Sequence, residues 1–127
     1  MIVLDASVMI AMLTPTDAHH ANARSLLDQY AADGFLAHAI TLAEVLVEPV
    51  RLGRGVQRLA DLKAMSLQVT ASDETESLQL AELRASTGLK LPDCCVLVTA
   101  MRGPSALATF DTQLARAAES LGLELAN

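Results

Sequence analysis

The stretch MIVLDASVMIAML, residues 1–13, decides how this chain folds. Its first four residues form an apolar run with the β-branched Ile2 and Val3, which suits a short strand buried on both faces. Asp5 interrupts the run, and Ala6 to Leu13 reads as a short helix ending before Pro15. A buried strand that passes through one acid straight into a helix is how an α/β unit begins.

Downstream the alternation repeats. Asp17 to Ala32 reads as a helix with Ala18, Ala21, Leu26 and Leu27 at helical spacing, closed by Gly34, and Phe35 to Ala39 as a second strand. Thr41 opens a helix to about Val50, stopped near Pro49 and Gly53; Val56 to Met65 is another helix, and Leu67 to Thr70 a third strand. Ser72 to Thr87 carries Leu78, Leu80 and Leu83 and ends at Gly88, while Pro92 to Met101 is a buried helix with proline in its first turn. Ala106 to Phe110 forms a fourth strand, Asp111 to Leu121 a helix ended by Gly122, and Leu123 to Leu125 a last strand. The pattern predicts a three-layer α/β/α fold around a short, mostly parallel central sheet. No linker, repeat or low-complexity tract divides it, so residues 1–127 are expected to form one domain.

Composition limits the partners. The 127 residues include 15 acids against 9 Lys and Arg, for a formal net charge of −6, and 52% are hydrophobic. That hydrophobic content excludes disorder, and the acidic balance excludes a broad basic surface of the kind that holds nucleic acid. Tyr30, Phe35 and Phe110 are too few and too scattered to suggest a base-stacking platform. No apolar run nears the ~18 residues of a membrane span, and the N-terminal stretch lacks the cations of a secretory signal. Cys94 and Cys95 are adjacent, which suits neither a mutual disulfide nor zinc-ligand spacing; they read as small buried residues of a reduced, cytoplasmic protein.

Most acids, among them Asp28, Asp33, Glu74, Glu76 and Glu82, read as parts of solvated helix faces. Asp5, Glu44, Asp93 and Asp111 are different, because each lies in apolar sequence where a lone carboxylate is costly unless paired or metal-bound. Asp5 and Asp111 follow predicted strands and precede predicted helices, which puts them at the carboxyl edge of a parallel sheet, where α/β folds bind ligands. Asp93 and Glu44 fall near the starts of helices. Four converging carboxylates repel one another, and a hard divalent cation relieves that repulsion while offering positive charge to a phosphodiester. Each acid also has a plainer reading: Asp5 and Asp111 as N-caps, Thr41-x-x-Glu44 as a capping box, and Asp93 as a partner of its helix dipole.

Four segments in order, MIVLDASVMIAML with Ser7 two residues after Asp5, Thr41-Leu-Ala-Glu44, Leu91-Pro92-Asp93, and Ala108-Thr109-Phe110-Asp111, resemble the PIN-domain ribonucleases. Within that family the chain is most similar to the VapC-type toxins of toxin–antitoxin pairs. The resemblance implies a metal-dependent endoribonuclease with Asp5, Glu44, Asp93 and Asp111 as the catalytic acids. Asp5, Asp93 and Asp111 would be ligands of Mg²⁺, with Mn²⁺ able to substitute. Ser7 and Thr109 match hydroxyls that support the carboxylates. The partners it implies are an RNA substrate, a VapB-type antitoxin covering the cleft, and a second copy in a homodimer. One departure is Gln113, where many relatives carry a further acid; a second metal is then less well supported. Glu48 lies one turn beyond Glu44 and is left outside the site.

Other features compete poorly. His19, His20 and His38 have no recognisable partner, and the thiols beside Asp93 are expected to have raised pKa values. Gly53 and Gly55 lack the context of a phosphate loop. Arg51, Arg54 and Arg58, with Lys90 and Arg102, read as solvated charges, and Met9 to Leu13 as core packing. A receiver-like Mg²⁺-binding signalling domain would need paired acids after the first strand, an acid ending a middle strand and a late Lys; this chain has one acid, Thr70, and no Lys after Lys90. A PIN fold that has lost catalysis and serves as an interaction module is the remaining alternative.

Overall fold

Side chains alternate across a strand with a period of two, and here that alternation builds two cores from short strands. In the computed structural model, which describes residues 1–103 and 105–127, the elements among the described residues are β1 (Ile2–Leu4), α1 (Ala6–Leu13), α2 (His20–Gln29), β2 (Phe35–His38), α3 (Ala39–Arg51), α4 (Gly55–Ala64), β3 (Leu67–Thr70), α5 (Glu74–Thr87), α6 (Leu91–Met101), β4 (Ala106–Ala108) and α7 (Thr112–Ser120). The four strands form one parallel sheet in the order β3-β2-β1-β4. Ile2, Leu4, Phe35, Ala37 and Ala108 face a core shared with α1 to α4, whereas Val3, Leu36 and Leu107 face one shared with α5, α6 and α7. Helices therefore cover both faces, as a parallel sheet requires. The expected three-layer α/β/α architecture is what forms.

Several boundaries differ from the sequence reading. Helix α2 begins at His20 rather than Asp17, because Asp17 accepts the His19 amide through Oδ1 (2.8 Å) in a turn that precedes the helix. Pro49 does not stop α3 at once; the helix loses the amide bond that would reach Val45 and runs on only to Arg51, two residues later. The segment after α7 contributes a single parallel bridge, Leu107 to Leu125, rather than a strand. Gly88 closes α5 in the left-handed conformation (φ 72°), as its position suggested. No helix among the described residues is long and apolar enough to cross a membrane.

Candidate active site

Asp5 leaves the carboxyl end of β1 and is 6% exposed, with its backbone N–H still bonded to Ala108 O of β4 at 3.0 Å. Its side chain does not cap α1. Instead Oδ2 accepts from Ser7 Oγ (2.7 Å) and from Thr109 Oγ1 (2.8 Å), so two hydroxyls fix the orientation of the carboxylate. The Phe110 amide donates to Ser7 Oγ (3.0 Å) and the Asp111 amide to Thr109 Oγ1 (3.0 Å), which binds the post-β4 turn to Asp5. The Asn127 side chain brackets Thr109, donating to its carbonyl (2.9 Å) and accepting its amide (3.2 Å). Asp111 does act as an N-cap, its Oδ1 accepting from the amides of Gln113 (2.9 Å) and Leu114 (3.1 Å) at the start of α7.

The other two acids come from helices that meet at this edge. Asp93 lies in the first turn of α6, half-buried, and Glu44 lies in the second turn of α3, exposed. The capping box read from Thr41 and Glu44 is absent. α3 starts two residues earlier, straight out of β2, and His38 caps it by accepting the Ile40 amide at Nδ1 (3.1 Å). Thr41 is fully buried, and its hydroxyl is without a partner among the described residues. Glu44 is thereby released from a capping role.

The four carboxylates feel one another. Loss of surrounding water, then the charges of Asp5 and Asp93, raise the Glu44 carboxyl above its usual value even though most of its side chain is exposed. Asp93 is raised by partial burial, then by Asp5 and Asp111, with Lys90 offsetting part of the effect. Four acids from four elements thus share one negative field, which Lys90 opposes at Asp93. As a donor set, hard oxygens carrying unrelieved negative charge fit Mg²⁺ or Mn²⁺ in chemistry and charge. Among the described residues no three His, Cys, Asp or Glu side chains are grouped closely enough to hold a metal ion. Mg²⁺ does not need such a cage, since it is commonly held by one or two carboxylates and keeps several waters.

One polar cluster lies outside the sequence reading. Glu76, read as solvated, is 1% exposed, and His38, read as lacking a partner, is 2% exposed. Because His38 Nδ1 accepts an amide, the ring proton sits on Nε2, which donates to Ser72 Oγ at 2.8 Å with the Glu76 carboxylate 3.5 Å away. The pairing joins β2 to α5 across 38 residues of sequence, a separation at which local pattern is silent. Burial, then the charges of Glu76, Cys94 and Glu44, push the Cys95 thiol up to about 11, and Cys94 is raised as well, so neither is a poised nucleophile. His20 bonds the Ala11 carbonyl through Nδ1 (2.7 Å), and His19 stacks on Phe110 with ring centres 4.6 Å apart. Arg51, Arg58 and Arg102 pair with Glu48, Asp61 and Asp73.

Against known proteins, a family model described as PIN domain matches residues 2–120. A toxin–antitoxin complex from Klebsiella pneumoniae is similar in fold, with 21% identity, 88% of each chain covered and a TM-score of 0.72. So is Mycobacterium tuberculosis VapC20, described as a sarcin-ricin loop cleaving toxin: 16% identity, 92% of this chain and 95% of that one, TM-score 0.75. A structure of FitAB bound to an IR36 DNA fragment matches at 23% identity over 98% of this chain and 93% of that one, TM-score 0.72. No curated protein matches.

Proposed function

The chain belongs to the PIN domain family, and from that premise we propose that it is a metal-dependent endoribonuclease, the VapC-type toxin of a toxin–antitoxin pair. The observation that carries the reading is the shared negative field of Asp5, Glu44, Asp93 and Asp111 at the carboxyl edge of the sheet. Asp5 and Asp93 are the residues to hold Mg²⁺ or Mn²⁺, with Asp111 a further ligand, directly or through water. When bound, the ion supplies positive charge for the phosphate and acidifies a coordinated water.

The remaining work falls to the chain. Ser7 and Thr109 hold the Asp5 carboxylate in one orientation. Asp111 is anchored through Oδ1 by the α7 amides, which leaves Oδ2 free of protein partners among the described residues. Glu44, whose carboxyl holds a proton more readily than an isolated glutamate, is suited to take the proton of the attacking water. Water oxygen forms the new P–O bond, the ester P–O bond breaks, and the proton passes to the leaving oxygen by way of solvent. Gln113 stands where relatives often have a fifth acid and favours a single resident ion. A VapB-type antitoxin, a homodimer and a cytoplasmic location complete the proposal.

A second reading is an interaction module of the same fold without catalysis. One experiment separates the two. Purified chain is incubated with structured RNAs in Mg²⁺ or Mn²⁺, beside Asp5→Asn and Asp93→Asn. Metal-dependent cleavage lost in both variants is expected. Cleavage persisting in EDTA, or in both variants, would assign the activity elsewhere, and no cleavage of any RNA would favour the interaction module.

A further inference from the structure

A groove of about 380 Å³ lies between α2 on one side and Phe110 and the C-terminal residues on the other. That size falls within the roughly 300–1,000 Å³ of small-ligand clefts. One wall is a helical stripe, His19, Asn22, Ser25 and Gln29, with Leu26 as its apolar floor; the other includes Phe110 and Asn127. At one end the Tyr30 hydroxyl donates to the Ala126 carbonyl (3.1 Å), joining the end of α2 to the opposite wall. At the other end the His19 imidazole lies flat against Phe110, its plane tilted by only 12°. Phe110 is the residue before Asp111, and its amide is hydrogen-bonded to the Ser7 hydroxyl that holds Asp5. The ring pair is therefore tied to the candidate catalytic carboxylates through one backbone bond.

Three features point to one ligand class. Stacked flat rings offer a π-face, which any nucleobase matches. Among the described residues the side chains of Asn22, Ser25 and Gln29 make no hydrogen bonds, so their donors and acceptors are open to a base edge. The lining residues among those described are neutral at their side chains apart from His19, which suits an uncharged ring rather than a phosphate. Unpaired bases splayed from single strands and loops are recognised in this way, by stacking plus edge hydrogen bonds.

We propose that this groove is a nucleobase subsite, which takes one unpaired base of the RNA next to the scissile phosphate, with His19 as the stacking residue and Asn22 as the residue that reads its edge. The subsite rests on the ribonuclease reading for its RNA, but its binding can be measured without cleavage. Fluorescence anisotropy of labelled single-stranded RNA octamers is recorded with the Asp93→Asn chain, alone and carrying His19→Ala or Asn22→Ala. His19→Ala is expected to weaken binding about tenfold, the scale of one stacked base. Asn22→Ala is expected to flatten the ranking among homopolymer octamers. In the chain with Asp93 intact, His19→Ala should raise KM with little change in kcat. Because Phe110 also packs on the core, Phe110→Leu keeps an apolar side chain there while removing the ring, and it should weaken binding as His19→Ala does. Equal binding by all variants overturns the subsite while leaving the nuclease reading intact. RNA binding that depends on His19 in a chain that cleaves no RNA overturns the nuclease reading and keeps the subsite.

Discussion

At the scale of single residues, the site depends on who holds Asp5. A buried carboxylate is tolerated when it is hydrogen-bonded, and Ser7 from α1 and Thr109 from the turn after β4 both donate to Asp5 Oδ2. Thr109 does two jobs at one oxygen, donating to Asp5 and accepting the Asp111 amide. Thr109→Val keeps the shape and removes both bonds. Divalent-ion affinity and cleavage rate should each fall about 10–100-fold, the usual cost of losing a group that orients a ligand. The unpaired Asp111 amide should cost roughly 1–3 kcal/mol in a denaturant melt. A variant with wild-type metal affinity would mean that the hydroxyl only packs. Asp5 was legible in sequence because its apolar flanks and strand–helix position are local signals. Its hydroxyl partner at residue 109 was legible through the family resemblance alone, since no local pattern links positions so far apart.

At the scale of elements, the strand–acid–helix alternation was readable because short apolar runs and glycine stops are local features. The phase of α5 was not. Its inward stripe is Glu76 and Leu83, both buried, flanked by the partly buried Leu80 and Thr87, whereas Leu78 is 66% exposed. An acid on the buried stripe misleads any apolar count, and the reason it is tolerated, His38, arrives from β2. His38→Ala removes the α3 cap, about 1 kcal/mol, and leaves the Glu76 carboxylate poorly paired, about 1–3 kcal/mol more. A loss of roughly 2–4 kcal/mol by chemical denaturation is expected, while Ser72→Ala, at an exposed residue, should cost far less. The start of α5 also sets a pH response. Asp73 lies below the usual carboxylate range chiefly because it accepts the Glu76 amide, with Arg102 adding to the effect. A lowered folded pKa means its contribution is present above the unfolded value, near 3.9, and is lost as pH falls through the folded one. The Glu76 amide chemical shift should therefore titrate below about pH 4, and Asp73→Asn, which still caps, should abolish that titration.

At the scale of the whole molecule, a net charge of −6 first argues against nucleic acid, and under the proposed function its distribution reverses the argument. Helices on both faces leave the carboxyl edge of the sheet as the place where four elements deliver acids without burying them all. The fold holds these like charges together at a cost to itself, which a bound cation would return as stability. Two opposite effects of one substitution follow. Glu44→Gln removes a charge that Asp5 and Asp93 repel, so the metal-free chain should melt at a higher temperature than wild type. The same variant should respond less to Mn²⁺ or Mg²⁺. Wild type with metal at about 100 times Kd should gain about 2.7 kcal/mol, a shift of roughly 10 °C for a chain of this size. An acidic protein is also stabilised by simple screening, so the comparison needs NaCl at matched ionic strength. Equal shifts in NaCl and in divalent salt, or a Glu44→Gln chain that melts lower without metal, would show that the acids are neither a strained cluster nor a cation site.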